Sequence, residues 1–182
     1  MEIKSKLVNR AKKGDSEAFQ ILIHEEKEKM YRMAYMYMRN EDDALEVFQE
    51  SLYKALNAIN TLKNDGYFST WLMRILINTA IATLKKKQKL VSINMEIFDQ
   101  IEDTEHSGTE EHLDLLQAMD DIEEKYKTVL LLRFYQDYTV KQIAAFLDCP
   151  EGTVKTNIRR GLNLLKTKLK GVYCDDRQNS IV

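Results

Sequence analysis

One proline and six glycines in 182 residues leave this chain almost without the residues that reverse a strand. A sandwich or barrel places a turn about every 8–12 residues. So few turn formers therefore predict an all-α fold. The 44% apolar content is enough to fill a core, and the length allows one or two domains. No apolar run approaches the roughly 18–20 residues of a membrane span. Met1-Glu2-Ile3-Lys4 offers no apolar signal segment, so a cytoplasmic protein is expected. Cys149 and Cys174 form no CxxC pair, which argues against both a zinc site and a disulfide framework.

The net charge of −2 conceals a strong pattern. Residues 1–90 hold 16 basic and 12 acidic side chains, and residues 125–182 hold 11 basic and 5 acidic. Between them, residues 91–124 hold 12 acids and no Lys or Arg. Two basic blocks around an acidic one point to a polyanionic partner.

Helical periodicity divides the chain further. Asp15 suits the N-cap of a helix whose apolar positions Phe19, Leu22, Ile23, Met30, Met33, Ala34 and Tyr37 recur at i, i+3, i+4. The methionines Met30, Met33, Met36 and Met38 read as core filler rather than an adaptable surface. Asn40 suits a second N-cap, with Glu41, Asp42 and Asp43 favoured by the positive helix end. Ala44, Val47, Phe48, Leu52, Ala55 and Ile59 would face inward. After the turn Asn64-Asp65-Gly66, Ser69 is expected to cap a third helix bearing Leu72, Ile75, Leu76, Thr79 and Ala82, which runs out near Lys85–Lys89. Residues 91–113, with seven acids and weak periodicity, read as a flexible acidic linker between two small helical domains, 1–90 and 114–172, with a tail over 173–182.

The second domain contains the motif with the clearest chemistry. An apolar helix through Tyr126, Val129, Leu130, Leu132 and Phe134 precedes a turn at Gln136-Asp137-Tyr138. Thr139 and Gln142 then form a capping box for a short helix, which ends near Pro150. Ile143, Ala144 and Leu147 would bury this helix, and Val154, Ile158, Gly161 and Leu165 the next. This is a helix-turn-helix pattern. Burying the apolar stripe turns Thr153, Lys155, Thr156, Asn157, Arg159 and Arg160 outward, and these residue types suit phosphates and base edges.

At these residues the chain resembles region 4 of bacterial sigma factors, through Tyr126–Phe134, Tyr138–Ala144 and Glu151–Thr156. Asp42–Ser51 resembles region 2.2, Phe68–Ile75 with Asn78-Thr79-Ala80 resembles regions 2.3 and 2.4, and Ala11–Phe19 resembles the opening of region 2. With regions 2 and 4 alone, the layout resembles the extracytoplasmic-function sigma factors over about residues 4–170.

The resemblance implies that Asp43, Glu46, Gln49 and Glu50 dock on the clamp helices of core RNA polymerase. It implies that the turn from Lys63 to Thr70 holds a base flipped from the −10 promoter element, with Asn64, Tyr67, Phe68, Ser69 and Trp71 available. Trp71, in the first helical turn, also suits a core position. Arg74 and Asn78 would contact the same element, and Lys85, Lys86 and Lys87 the phosphates. The helix-turn-helix would read −35 DNA, although Asn157 stands where the family often has Arg. The linker is either a soluble spacer or an acidic segment lying along basic surfaces. An anti-sigma factor, often membrane-bound, would hold such a protein inactive.

Two other readings compete. A helix-turn-helix regulator acting without polymerase would explain residues 118–170 but not the matches at 42–51 and 68–80. An enzyme would need a motif such as a P-loop, HExxH or GxSxG, and none is present. His24, His106 and His112 lack ligand spacing, so no metal, cofactor or small-molecule substrate is expected.

Overall fold

The computed structural model describes residues 2–94, 115, 118–119 and 122–179. The chain forms two compact units, residues 1–100 and 101–182. All regular elements among the described residues are helical.

Among its described residues the first unit has four α-helices: α1 (Glu2–Lys12), α2 (Ser16–Met38), α3 (Glu41–Ala58) and α4 (Phe68–Asn94). Their ends follow local chemistry. Gly14 takes the left-handed backbone (φ +89°) that breaks α1 from α2. Asp15 then accepts the Ala18 N–H at 3.0 Å as N-cap. That bond, followed by one from Arg10, holds the Asp15 carboxyl below its ordinary value. Arg39 closes α2 in the left-handed region, and the Asn40 side chain accepts the Asp43 N–H to start α3.

Helix α1 was not foreseen in the sequence, and α4 runs four residues past 90. Helix α2 packs on the other three, and α3 packs on α4. Met30, Met33, Leu22, Tyr37, Val47, Phe68, Leu72, Leu76 and Ile77 fill the core. Buried Ala34, Ala44, Ala55 and Ala80 leave room for close approach of the helix backbones. The expected inward stripes are shifted in places, since Ala82 is exposed and Ile75, Phe48 and Leu52 are half-buried.

The second unit contains α5 (Glu124–Leu130), a π-helical turn at Leu131–Tyr135, α6 (Val140–Leu147) and α7 (Glu151–Asn179). The π-turn widens the helix end, with Gln136 N–H on the Leu131 carbonyl. It leaves Phe134 61% exposed, against its expected place in the apolar stripe. Thr139 and Gln142 make the anticipated capping box. Asp148 (φ 52°) ends α6 in the left-handed region, and the Pro150 carbonyl accepts the Thr153 and Val154 N–H groups at the start of α7. Helix α7 continues through residues 173–179, where the sequence predicts a tail. Of the expected linker, residues 91–113, the first four belong to α4, and 95–113 lie outside the described residues.

Gly161 sets how closely α7 approaches α5. A Cβ there would lie 3.0 Å from Leu130 Cδ1 and 3.2 Å from Tyr126 Cβ. Gly161→Val is expected to destabilise the second unit by about 1–3 kcal/mol. Thermal denaturation of the variant checks this, and an unchanged transition would mean that the contact relaxes freely.

Candidate nucleic-acid interface

In the second unit, buried Val154 and Gly161 anchor α7 against α5 and α6, with Ile158 and Leu165 half-buried on the same side. Phe146, missed in the sequence, is buried and packs edge-on against Tyr138 with ring centroids 6.0 Å apart. This packing turns Thr153, Lys155, Arg159 and Arg160 fully outward, while Thr156 and Asn157 are half-exposed. Neither arginine enters an ion pair among the described residues. Thr156 bonds the Gly152 carbonyl at 2.9 Å, which leaves its hydroxyl partly committed. The result is an exposed basic first half of a helix, able to enter a major groove.

In the first unit, residues 64–68 form one tight turn. The Asn64 side-chain oxygen accepts the Gly66 N–H at 3.0 Å, and Asp65–Tyr67 make a single 3-10 turn leading directly into α4. Two expectations are corrected here. Ser69 does not cap α4, because the helix has already begun at Phe68. Its hydroxyl instead donates to Glu26 Oε1 and accepts from Lys4 Nζ at 3.0 Å. Phe68 is fully buried, so it presents no face to a base, whereas Tyr67 is 62% exposed. Trp71 is half-buried with its ring 5.9 Å from that of Phe68, so it joins core to surface.

From this turn the candidate contacts continue along one side of α4. Tyr67, Trp71, Arg74, Asn78 and Lys85 follow spacings of 4, 3, 4 and 7, which keeps them on one face. Trp71 to Lys85 spans about 21 Å of helix. Lys85, Lys86 and Lys87 are exposed two turns beyond Asn78.

On α3, Glu46, Gln49 and Glu50 are exposed and Asp43 is half-buried. Beside them lie exposed apolar residues that sequence reasoning passed over: Leu45 at 45%, Tyr53 at 70% and Leu56 at 49%. Their i, i+4, i+8, i+11 spacing with Gln49 was the available signal. Lys87 pairs with Asp43, which joins two residues assigned to different partners. Glu50 pairs with Lys54 at 2.7 Å, and Lys54 also reaches Thr79 Oγ1 on α4.

The acidic groups near the turn titrate low. Burial pushes the Glu26 carboxyl up, but hydrogen bonds from Lys4 and Ser69 and the charges of Lys4 and Lys29 outweigh it, holding it below the ordinary 4.5. A carboxyl lowered by folding stabilises the fold above its unfolded value and loses that contribution on acidification. The Tm difference between the native chain and Glu26→Gln should therefore be present at neutral pH and shrink once the pH falls below 4.5. A difference independent of pH would show that the charge plays no part.

Comparison with known proteins decides the family. Residues 22–90 match Sigma-70 region 2, and residues 112–165 match Sigma-70, region 4. RNA polymerase sigma factor SigV of Bacillus subtilis is 35% identical over 150 residues, covering 81% of this chain and 88% of that protein. The chain belongs to the sigma-70 family. It is a transcription initiation factor of the extracytoplasmic-function type, not an enzyme.

The ECF RNA polymerase sigma factor SigW of Bacillus subtilis is 30% identical, with 91% of this chain and 96% of that one covered. Among solved structures, the sigma factor RpoE of Bartonella quintana, in complex with the anti-sigma factor NepR, shares the fold. Its TM-score is 0.70 at 20% identity, over 84% of this chain and 96% of that one. CnrH, in complex with the cytosolic domain of CnrY, does so with a TM-score of 0.69 at 18% identity, over 92% and 97%. Among the described residues of this sigma factor, no helix is long and apolar enough to cross a membrane, and no side-chain cluster suits a metal ion.

Proposed function

We propose that this sigma factor divides promoter recognition between its two units. The first docks on core RNA polymerase through the exposed face of α3 and takes the −10 element along the turn 64–68 and α4. The second reads the −35 element with Thr153, Lys155, Thr156, Asn157, Arg159 and Arg160. The observation carrying this reading is that two family-matched units on one chain each turn a basic helix surface outward.

The surfaces differ in ways that suit their roles. On α3, acids interleaved with Leu45, Tyr53 and Leu56 suit a protein partner, because exposed apolar side chains gain nothing from phosphate. Near the turn, exposed Tyr67 supplies a stacking face for an extruded base. Asn64 offers its NH₂ group to that base, while Gly66 takes up one of the two acceptor sites on its oxygen.

Core polymerase and promoter DNA are thus the partners, and the protein acts in the cytoplasm, where both are found. The structural neighbour solved with an anti-sigma factor, RpoE with NepR, supports control by such a factor.

Titrating labelled promoter duplex with the purified factor, alone and mixed with core polymerase, tests the division of labour. Weak binding alone and tight binding with strand opening in the mixture is the expected pair of results. Tight, sequence-specific duplex binding without polymerase would favour an independent helix-turn-helix regulator instead.

A further inference from the structure

We infer that α1 is a brace for the base-capturing turn, holding residues 65–69 from both ends so that Tyr67 is presented in one preset arrangement. The inference rests on the proposed reading of that turn as the site that takes a −10 base.

The brace has two anchors. At the first, Asp65 receives three side chains from a single face of α1. Lys12 Nζ lies 2.7 Å from Oδ1, while Asn9 Nδ2 at 2.5 Å and Ser5 Oγ at 3.2 Å reach Oδ2. Positions 5, 9 and 12 are i, i+4 and i+7, so one helical ridge meets one carboxylate. At the second anchor, Lys4 Nζ donates to Glu26 Oε1 at 2.7 Å and to Ser69 Oγ at 3.0 Å, and Ser69 donates to the same Glu26 oxygen. Tyr67 stands exposed between these anchors, beside the wholly buried Phe68.

Fold stability is an incomplete reason for the first anchor. The Lys12–Asp65 pair, with side chains 21% and 18% exposed, adds some stability, but the bond from exposed Asn9 adds little. Positioning is a better one, for two reasons. A turn already ordered before binding does not lose entropy when a base arrives. An acidic side chain beside a phosphate chain would also repel it, and Lys12 neutralises that charge while three donors point the carboxylate at α1. The Asp65 carboxyl is correspondingly held below its ordinary value, first by the Lys12 hydrogen bond. In this account Ser5, Asn9 and Lys12 are positioning residues and touch no DNA.

The test uses the full chain bound to core polymerase and a fluorescent forked DNA. Its single-stranded −10 segment comes from a promoter mapped with the same holoenzyme, and each nucleotide in turn is made abasic. With the native chain, one position should cost about tenfold or more in affinity, the worth of a stacked base. Ser5→Ala with Asn9→Ala, and separately Lys12→Met, should cut that cost to about two- or threefold. Lys12→Arg should keep it. Affinity for core polymerase should not change in any variant.

If every variant keeps the native abasic cost within twofold, α1 is a structural helix only and the brace is wrong. If Lys12→Arg loses as much as Lys12→Met, the ion pair is not what positions the turn. If no position shows an abasic cost with the native chain, the reading of the turn itself fails, and the brace with it. Ser5 is half-buried and Asn9 exposed, and both lose only a few atoms on truncation, so the double alanine variant gives the answer even where a Lys12 variant folds poorly.

Discussion

Glu46→Lys with Glu50→Lys is expected to weaken binding to core polymerase by at least about 100-fold, while the first unit stays folded. Each side chain is exposed on α3, so neither change leaves a cavity or a buried charge. The native face combines these acids with Gln49 and exposed Leu45, Tyr53 and Leu56, the mixture expected of a docking surface. Reversing charge at a complementary interface adds repulsion to the lost attraction, and like-charge contacts there cost several kcal/mol.

The double variant also removes the Glu50–Lys54 pair and places positive charge near Lys86 and Lys87, which line the same shallow cleft as Glu46 and Glu50. A small loss of thermal stability is therefore expected. Glu46→Gln with Glu50→Gln separates the effects, since it removes attraction without adding repulsion. Fluorescence anisotropy of labelled factor titrated with core polymerase gives both affinities. Native-like binding by the lysine variant would show that α3 docks elsewhere or not at all.

The second large effect concerns Arg159→Ala with Arg160→Ala. Both side chains are exposed on the first half of α7, and neither is in an ion pair among the described residues, so truncation should leave the helix intact. Each phosphate contact contributes about 0.9 to the slope of log K against log salt, so the slope of holoenzyme binding should fall by nearly two. Initiation from promoters that depend on the −35 element should drop by roughly 10- to 100-fold, the loss expected for two charged contacts to DNA. Promoters relying on the −10 element should be affected far less. A slope unchanged within error would remove both arginines from the interface. A slope reduced equally on DNA lacking a −35 sequence would make them phosphate contacts without a part in sequence reading.

The features readable in the sequence were those whose chemistry is local. Asp15, Asn40 and the Thr139–Gln142 box sit within three residues of the amides they bind, so their roles follow from spacing. The outward face of α7 was legible for a related reason, because Val154 and Gly161 define its buried side at helical intervals. Long-range contacts were not legible. Ser69 looks like a cap, but Glu26 and Lys4, 43 and 65 residues away, claim its hydroxyl. Phe68 looks like an available aromatic, yet α4 begins at that residue and carries it into the core. The grip of Ser5, Asn9 and Lys12 on Asp65 spans more than fifty residues and has no periodic signature. Phe134 was misplaced because a π-turn, which hydropathy cannot reveal, rotates it out of the helical stripe.

These failures share a cause. Periodicity tells which face of a helix is buried, but not which partner a polar side chain will find. The pairing of Lys87 with Asp43 illustrates the consequence, since a residue assigned to DNA and one assigned to polymerase meet where α3 and α4 pack.

The division of promoter recognition between the two units is tested most directly by sequencing the 5′ ends of transcripts made from genomic DNA by core polymerase with and without the purified factor. The account expects a set of starts that appears only with the factor, each preceded by two shared motifs at constant spacing. In the Arg159→Ala, Arg160→Ala variant the upstream motif should lose its influence while the downstream one is kept. No starts beyond those of core polymerase alone, or starts sharing only one motif, would contradict it.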